Sequence, residues 1–128
     1  GLSRLCAIQI EYSLLERTVE RELVPMANYY GLGVLAWSPL AGGVLSGKYT
    51  REGQRETQRE QFNQMSGRLS EKALEVARVV DGVADELGKS STQVALAWLR
   101  ARQGQVIPIL GSGWPRRLRW RSLQKTTA

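Results

Sequence analysis

The residues best suited to chemistry are Ser38-Pro39-Leu40-Ala41-Gly42-Gly43, followed closely by Ser46-Gly47. Pro39 lacks an N–H and has a fixed φ, so it ends whatever element precedes it. Glycines let the backbone come close to a ligand and aim N–H groups at it. With the hydroxyls of Ser38 and Ser46 the run suits an anion such as a phosphate. The same residues also make a plain connecting turn, because short glycine patterns are weak motifs. A second turn of this kind, Gly111-Ser112-Gly113, stands near the other end. The sequence has no histidine, and its one cysteine, Cys6, lies in an apolar run that reads as a buried structural thiol. No metal-ligand set is assigned.

The elements that must hold these turns follow from the periodicities. Ile8 and Ile10 alternate with Gln9 and Glu11, which predicts a strand over 7–11. Val19, Leu23, Met26 and Tyr30 recur at helical spacing, with Gly31 as a left-handed stop, and predict a helix ending at Tyr30. Gly33 to Trp37 then reads as a second strand in a βαβ unit with parallel pairing. The polar stretch 50–68 suits a mobile loop better than a solvated helix. Ser70 caps a helix to Leu87 whose apolar face is read as Val76, Val80, Val83 and Leu87. Ser90 and Gln93 have capping-box spacing ahead of a helix to about Arg102, and Val106 to Leu110 reads as a third strand with Pro108 near its end. The class is α/β. Three parallel strands are few for a self-sufficient sheet, so further strands are expected from elsewhere. Both glycine turns follow strands, and ligands bind at the carboxyl ends of such sheets.

At 128 residues and 42% hydrophobic content the chain has the size of one globular domain. No apolar run approaches the roughly 20 residues that span a bilayer, and residues 1–4 show neither an initiating Met nor a signal pattern. The expectation is a cytoplasmic protein and a piece of a longer chain. Although the net charge is +6, all acidic residues precede position 87, and Arg116, Arg117, Arg119, Arg121 and Lys125 hold five of the six surplus charges. The body is nearly neutral, so the basic end reads as a solvated tail and nucleic acid as an unlikely partner.

Four segments, Gln9–Arg17, Gly31–Tyr49, Gln93–Leu99 and Val106–Ser112, together resemble the C-terminal part of the aldo/keto reductase family. The resemblance implies a partial (β/α)8 TIM barrel: the last three strands with their helices, over residues 1–112, followed by a divergent basic tail, 113–128. It also implies an oxidoreductase that reduces carbonyls with NADP(H). Carried over position by position, it assigns Gln9 to the nicotinamide carboxamide, Trp37 to stacking on the nicotinamide ring, and Ser38, Pro39, Leu40 and Gly42 to the pyrophosphate. Gly111 and Ser112 fall near the adenosine phosphate. Plain structural roles for Trp37 and Gln9 remain open at this point.

The family's catalytic aspartate, tyrosine, lysine and histidine belong to earlier strands, so no catalytic residue is assigned. The expected function is the cofactor-holding part of a reductase, with a small carbonyl substrate only in the complete barrel. The alternative is a non-enzymatic partial-barrel module that associates with itself or another chain through open sheet edges.

Overall fold

The computed structural model describes residues 3–51 and 58–111. Ser112 and the tail 113–128 lie outside the described residues. Strand β1 (Ala7–Glu11) leads to a short 3-10 turn at Thr18–Glu20, helix α1 (Leu23–Tyr30) and strand β2 (Gly33–Trp37). A kinked 3-10 segment, Ala41–Ser46, precedes helices α2 (Gln58–Met65), α3 (Glu71–Glu86) and α4 (Ser91–Arg100) and strand β3 (Val106–Pro108). The sheet is parallel throughout, in the order β1-β2-β3.

The pairing places Ile8, Val34 and Val106 in one row and Ile10, Ala36 and Pro108 in the next. Side chains alternate across a strand, so this face meets the helices: Val34 and Ala36 are fully buried with Val24 and Ala27 of α1 and Leu99 of α4. The helix before β2 begins later than its periodicity suggests, because residues 18–30 divide into the 3-10 turn and α1. Pro25 then falls in the first turn, where its missing N–H costs little. Gly31, at φ 67°, ends α1, and the Leu32 N–H returns to the Ala27 carbonyl at 2.8 Å.

Ser70 caps α3 by accepting from the Ala73 N–H at 3.3 Å. Ser90 and Gln93 form the reciprocal capping box of α4. The buried face of α3 differs from the expected one: it is Ala73, Ala77, Val80, Asp81 and Ala84, while Val83 and Leu87 are exposed. Small side chains let α3 lie close against the Ala41–Ser46 segment and α4, forming a second core with Val44, Leu45 and Ala95.

Two other expectations change. The stretch read as a mobile loop contains α2, anchored by Asn63, which is 1% exposed. Cys6 is exposed rather than buried: it precedes β1, and the core begins beyond it.

Candidate functional site

The face of the sheet turned away from the helices carries Gln9, Leu35 and Ile107 in one row, with Glu11 beside Trp37 at its end. Gln9 is exposed, Trp37 is 39% exposed and Ile107 is 53% exposed. A tryptophan at a strand's carboxyl end, half open and on the same sheet face as Gln9, presents a flat ring for stacking. Its backbone stays in the ladder, with the Trp37 carbonyl accepting from the Tyr12 N–H at 3.3 Å.

The turn after Trp37 is unusual in its backbone. Ser38 and Ala41 have φ of 52° and 49°, and Gly42 and Gly43 follow at 68° and 94°. Left-handed values at two non-glycine residues cost of order 1–3 kcal/mol each and persist only where the surroundings impose them. Those surroundings are identifiable. Pro39 is buried, Leu40 and Ala41 pack into the second core, and the Asn63 side chain of α2 donates to the Gly42 carbonyl at 3.2 Å and to the Tyr49 hydroxyl at 3.0 Å. A Cβ on Gly42 would stand 2.6 Å from Asn63 Oδ1, at a backbone φ that disfavours it in any case. Gly42→Ala should therefore lower stability by roughly 1–3 kcal/mol, read as a fall in melting temperature. An unchanged melt would show that α2 does not clamp the turn.

The far end of the turn is held by a buried carboxylate. Asp81 of α3 accepts from the hydroxyls of Ser91, the first residue of α4, and Thr50. The Arg51 guanidinium lies 3.7 Å from Asp81 Oδ1 and also pairs with Asp85 at 2.9 Å. Gly47, at φ 84°, fits against this cluster, where a Cβ would meet Ser91 Oγ at 3.1 Å and Asp81 Oδ1 at 3.3 Å.

Arg68, in the connection from α2 to α3, reaches both strand ends. It donates to Glu11 Oε1 at 2.9 Å and to Ser38 Oγ at 3.4 Å. Lys48 lies alongside Gly43, 3.2 Å at its Cε from where a Cβ would be, with its ammonium 4.3 Å from the Tyr49 ring centroid. Gly111 is exposed, and a Cβ there would meet nothing within 4 Å.

The residues assigned from sequence thus separate by position. Gln9 and Trp37 share the open face, and Ser38 stands at its rim beside Arg68. Pro39 is buried, Leu40 packs against the second core, Gly42 faces Asn63, and Ser112 is outside the described residues. Asn63, Arg68 and Asp81 carry no local motif, and only the fold brings them to the turn. Tyr12 is buried on the helix side and donates to Glu20 at 2.8 Å, and burial first, then that bond, pushes its hydroxyl pKa far above the ordinary value. Among the described residues no helix is long and apolar enough to cross a membrane.

Known proteins fit this arrangement. The sequence profile of the Aldo/keto reductase family matches residues 2–120. The chain is 41% identical over 105 residues to the uncharacterized oxidoreductase YrpG of Bacillus subtilis, covering 80% of this chain and 30% of that protein. It is 40% identical over 96 residues to a probable voltage-gated potassium channel subunit beta of Oryza sativa, covering 70% of this chain and 29% of that one. Among solved structures, the glycerol dehydrogenase AKR11B4 of Gluconobacter oxydans superposes with a TM-score of 0.69 at 28% identity, over 83% of this chain and 33% of the other. The chain spans about 30% of the length of the relatives it matches. Three parallel strands with their helices make a part of the eight-stranded barrel, and the chain belongs to the aldo/keto reductase family.

Proposed function

We propose that this chain is the cofactor-holding part of an NADP(H)-dependent aldo/keto reductase, with Gln9, Trp37, Ser38, Pro39, Leu40, Gly42, Gly111 and Ser112 around the dinucleotide and residues 113–128 a separate basic tail. The observation that carries the reading is the placement of Gln9 and Trp37 on the open sheet face, with the Ser38 turn at its rim. Members of the family use nicotinamide cofactors on carbonyl substrates. The donor set fits such a group: a hydroxyl at Ser38, a guanidinium at Arg68, an amide at Gln9 and a half-exposed indole at Trp37. A bound nicotinamide would supply the hydride. The chain's own residues would hold the amide edge through Gln9, cover one ring face with Trp37 and keep the diphosphate at Ser38. Pro39, Leu40 and Gly42 act through the backbone they fix, since their side-chain positions are covered. The proposed setting is the cytoplasm.

Titration with NADPH, followed by quenching of tryptophan fluorescence and by calorimetry, tests the reading. Binding is expected, and Trp37→Ala should weaken it roughly 3- to 10-fold, the value of an aromatic stack. Absence of binding, or binding indifferent to Trp37→Ala, would overturn it.

A second reading is favoured by the open face itself. Trp37, Ile107, Ile109 and Leu110 are exposed there and beyond β3, and β1 and β3 are sheet edges among the described residues. Exposed parallel edges and apolar surface invite pairing with another chain. Sedimentation of the purified chain should give dimers or larger species, and a monodisperse monomer would argue against assembly.

A further inference from the structure

A cavity of about 370 Å³ opens beside the Ser38 turn, between the end of β1 and the start of α3, lined among others by Glu11, Ser13, Ala41, Arg68, Ser70 and Lys72. Arg68 stands at its boundary with the turn, one guanidinium nitrogen on Glu11 and the other toward Ser38. Its side chain is 29% exposed and that of Glu11 27%, so water reaches the pair and a competing anion could as well. Glu16, also in the lining, is engaged with Thr18 through its backbone N–H at 3.0 Å and its hydroxyl, which leaves Glu11 as the carboxylate that meets Arg68.

We infer that Arg68 is an anion-binding residue for a diphosphate or phosphate group at the Ser38 rim of this cavity, and that Glu11 occupies it when no such ligand is present. The chemistry supports an exchange. A guanidinium presents a planar fork that suits carboxylate and phosphate alike, and a diphosphate offers more charge and more acceptor oxygens than one carboxylate. Lys72 adds a second positive charge in the cavity wall, and the Ser38 hydroxyl, 3.4 Å from Arg68, adds a donor at the rim. Loss of Glu11 should therefore help the ligand. A purely structural ion pair between β1 and the α2–α3 connection predicts the opposite, since its loss would loosen the rim. The inference rests on the proposed cofactor site for its place, though not for its chemistry.

Calorimetric titration with inorganic pyrophosphate tests it on the full chain, with circular dichroism confirming that each variant is folded. Arg68→Gln should weaken binding at least about tenfold, the value of charge-assisted hydrogen bonds, and Glu11→Gln should tighten it several-fold. Arg68→Lys, which keeps the charge and loses the fork, should fall between. The double variant should behave as Arg68→Gln alone. Affinity unchanged in Arg68→Gln, or unchanged or weakened in a folded Glu11→Gln, would overturn the inference, as would pyrophosphate binding to neither the unaltered chain nor Glu11→Gln. A repeat with NADPH separates the two claims. Arg68-dependent pyrophosphate binding without NADPH binding would sink the cofactor reading and leave Arg68 as the anion ligand. Binding of both NADPH and pyrophosphate that is indifferent to the two substitutions would do the reverse. Displacement of pyrophosphate by NADPH would assign the site to the cofactor's diphosphate, and simultaneous binding would assign it to a separate phosphorylated ligand; both support the anion role.

Discussion

Mixed with an aromatic aldehyde and NADPH, the purified 128-residue chain should oxidise the cofactor no faster than buffer does. Carbonyl reduction needs a proton for the nascent alkoxide as well as a hydride, and a positioned general acid typically contributes 10²- to 10⁴-fold. The tyrosines are poorly placed to give it. Tyr12 points into the helix-side core with its proton held on Glu20, and its raised pKa makes the hydroxyl a poor acid. Tyr29 and Tyr30 stack edge-to-face on α1, on the opposite side of the sheet from Trp37. Tyr49 packs against the second core, beneath the turn rather than on the open sheet face. A proton donor must come from other strands, so a complementary first half of the barrel, supplied as a separate chain, should restore turnover. Aldehyde reduction by the unaided chain would refute this assignment.

Asp81→Ala should be the most destabilising single change around the turn, at about 2–4 kcal/mol, given the two hydroxyl bonds to a buried carboxylate. The exposed Arg51 guanidinium adds little to that figure, since water screens it. A loss of this size should lower the melting temperature by at least about 6 °C. It should also weaken any ligand at Ser38, because Thr50 and Gly47 lose the anchor that ties the turn to α3 and α4. Asp81→Asn keeps one acceptor oxygen and should fall between. A melt unaffected by Asp81→Ala would mean that the alanine-lined helix contact holds this end of the turn by itself.

How much of this was legible beforehand differs by the type of signal. Short-range chemistry read well: the Ser70 cap, the Ser90–Gln93 box, the Gly31 stop and the three strand positions all depend on residues within a few places of one another. The face of α3 was legible only in part: of the large apolar residues at helical spacing Val76 and Val80 do face the core, whereas Val83 and Leu87 are exposed and close packing selects Ala73, Ala77 and Ala84 instead. Helix α2 was hidden for a related reason, since its buried anchor is the polar Asn63. At the site, the resemblance points to Gln9 and Trp37, which share the open sheet face, and to Ser38, which follows β2. Arg68 is 57 residues from Glu11 and Asp81 is 31 from Thr50, separations across which no spacing rule operates.

Cys6 gives the molecule a built-in observation point. It is the one thiol in the sequence, it is exposed, and its carbonyl already accepts from the Gly33 N–H at 2.9 Å at the foot of the edge strand β1. A spin label or dye attached there leaves the β1–β2 ladder untouched and sits beside one of the two margins along which an additional strand could dock. The broadening or energy transfer it reports would give the distance, direction and stoichiometry of that docking from a chain bearing no engineered cysteine.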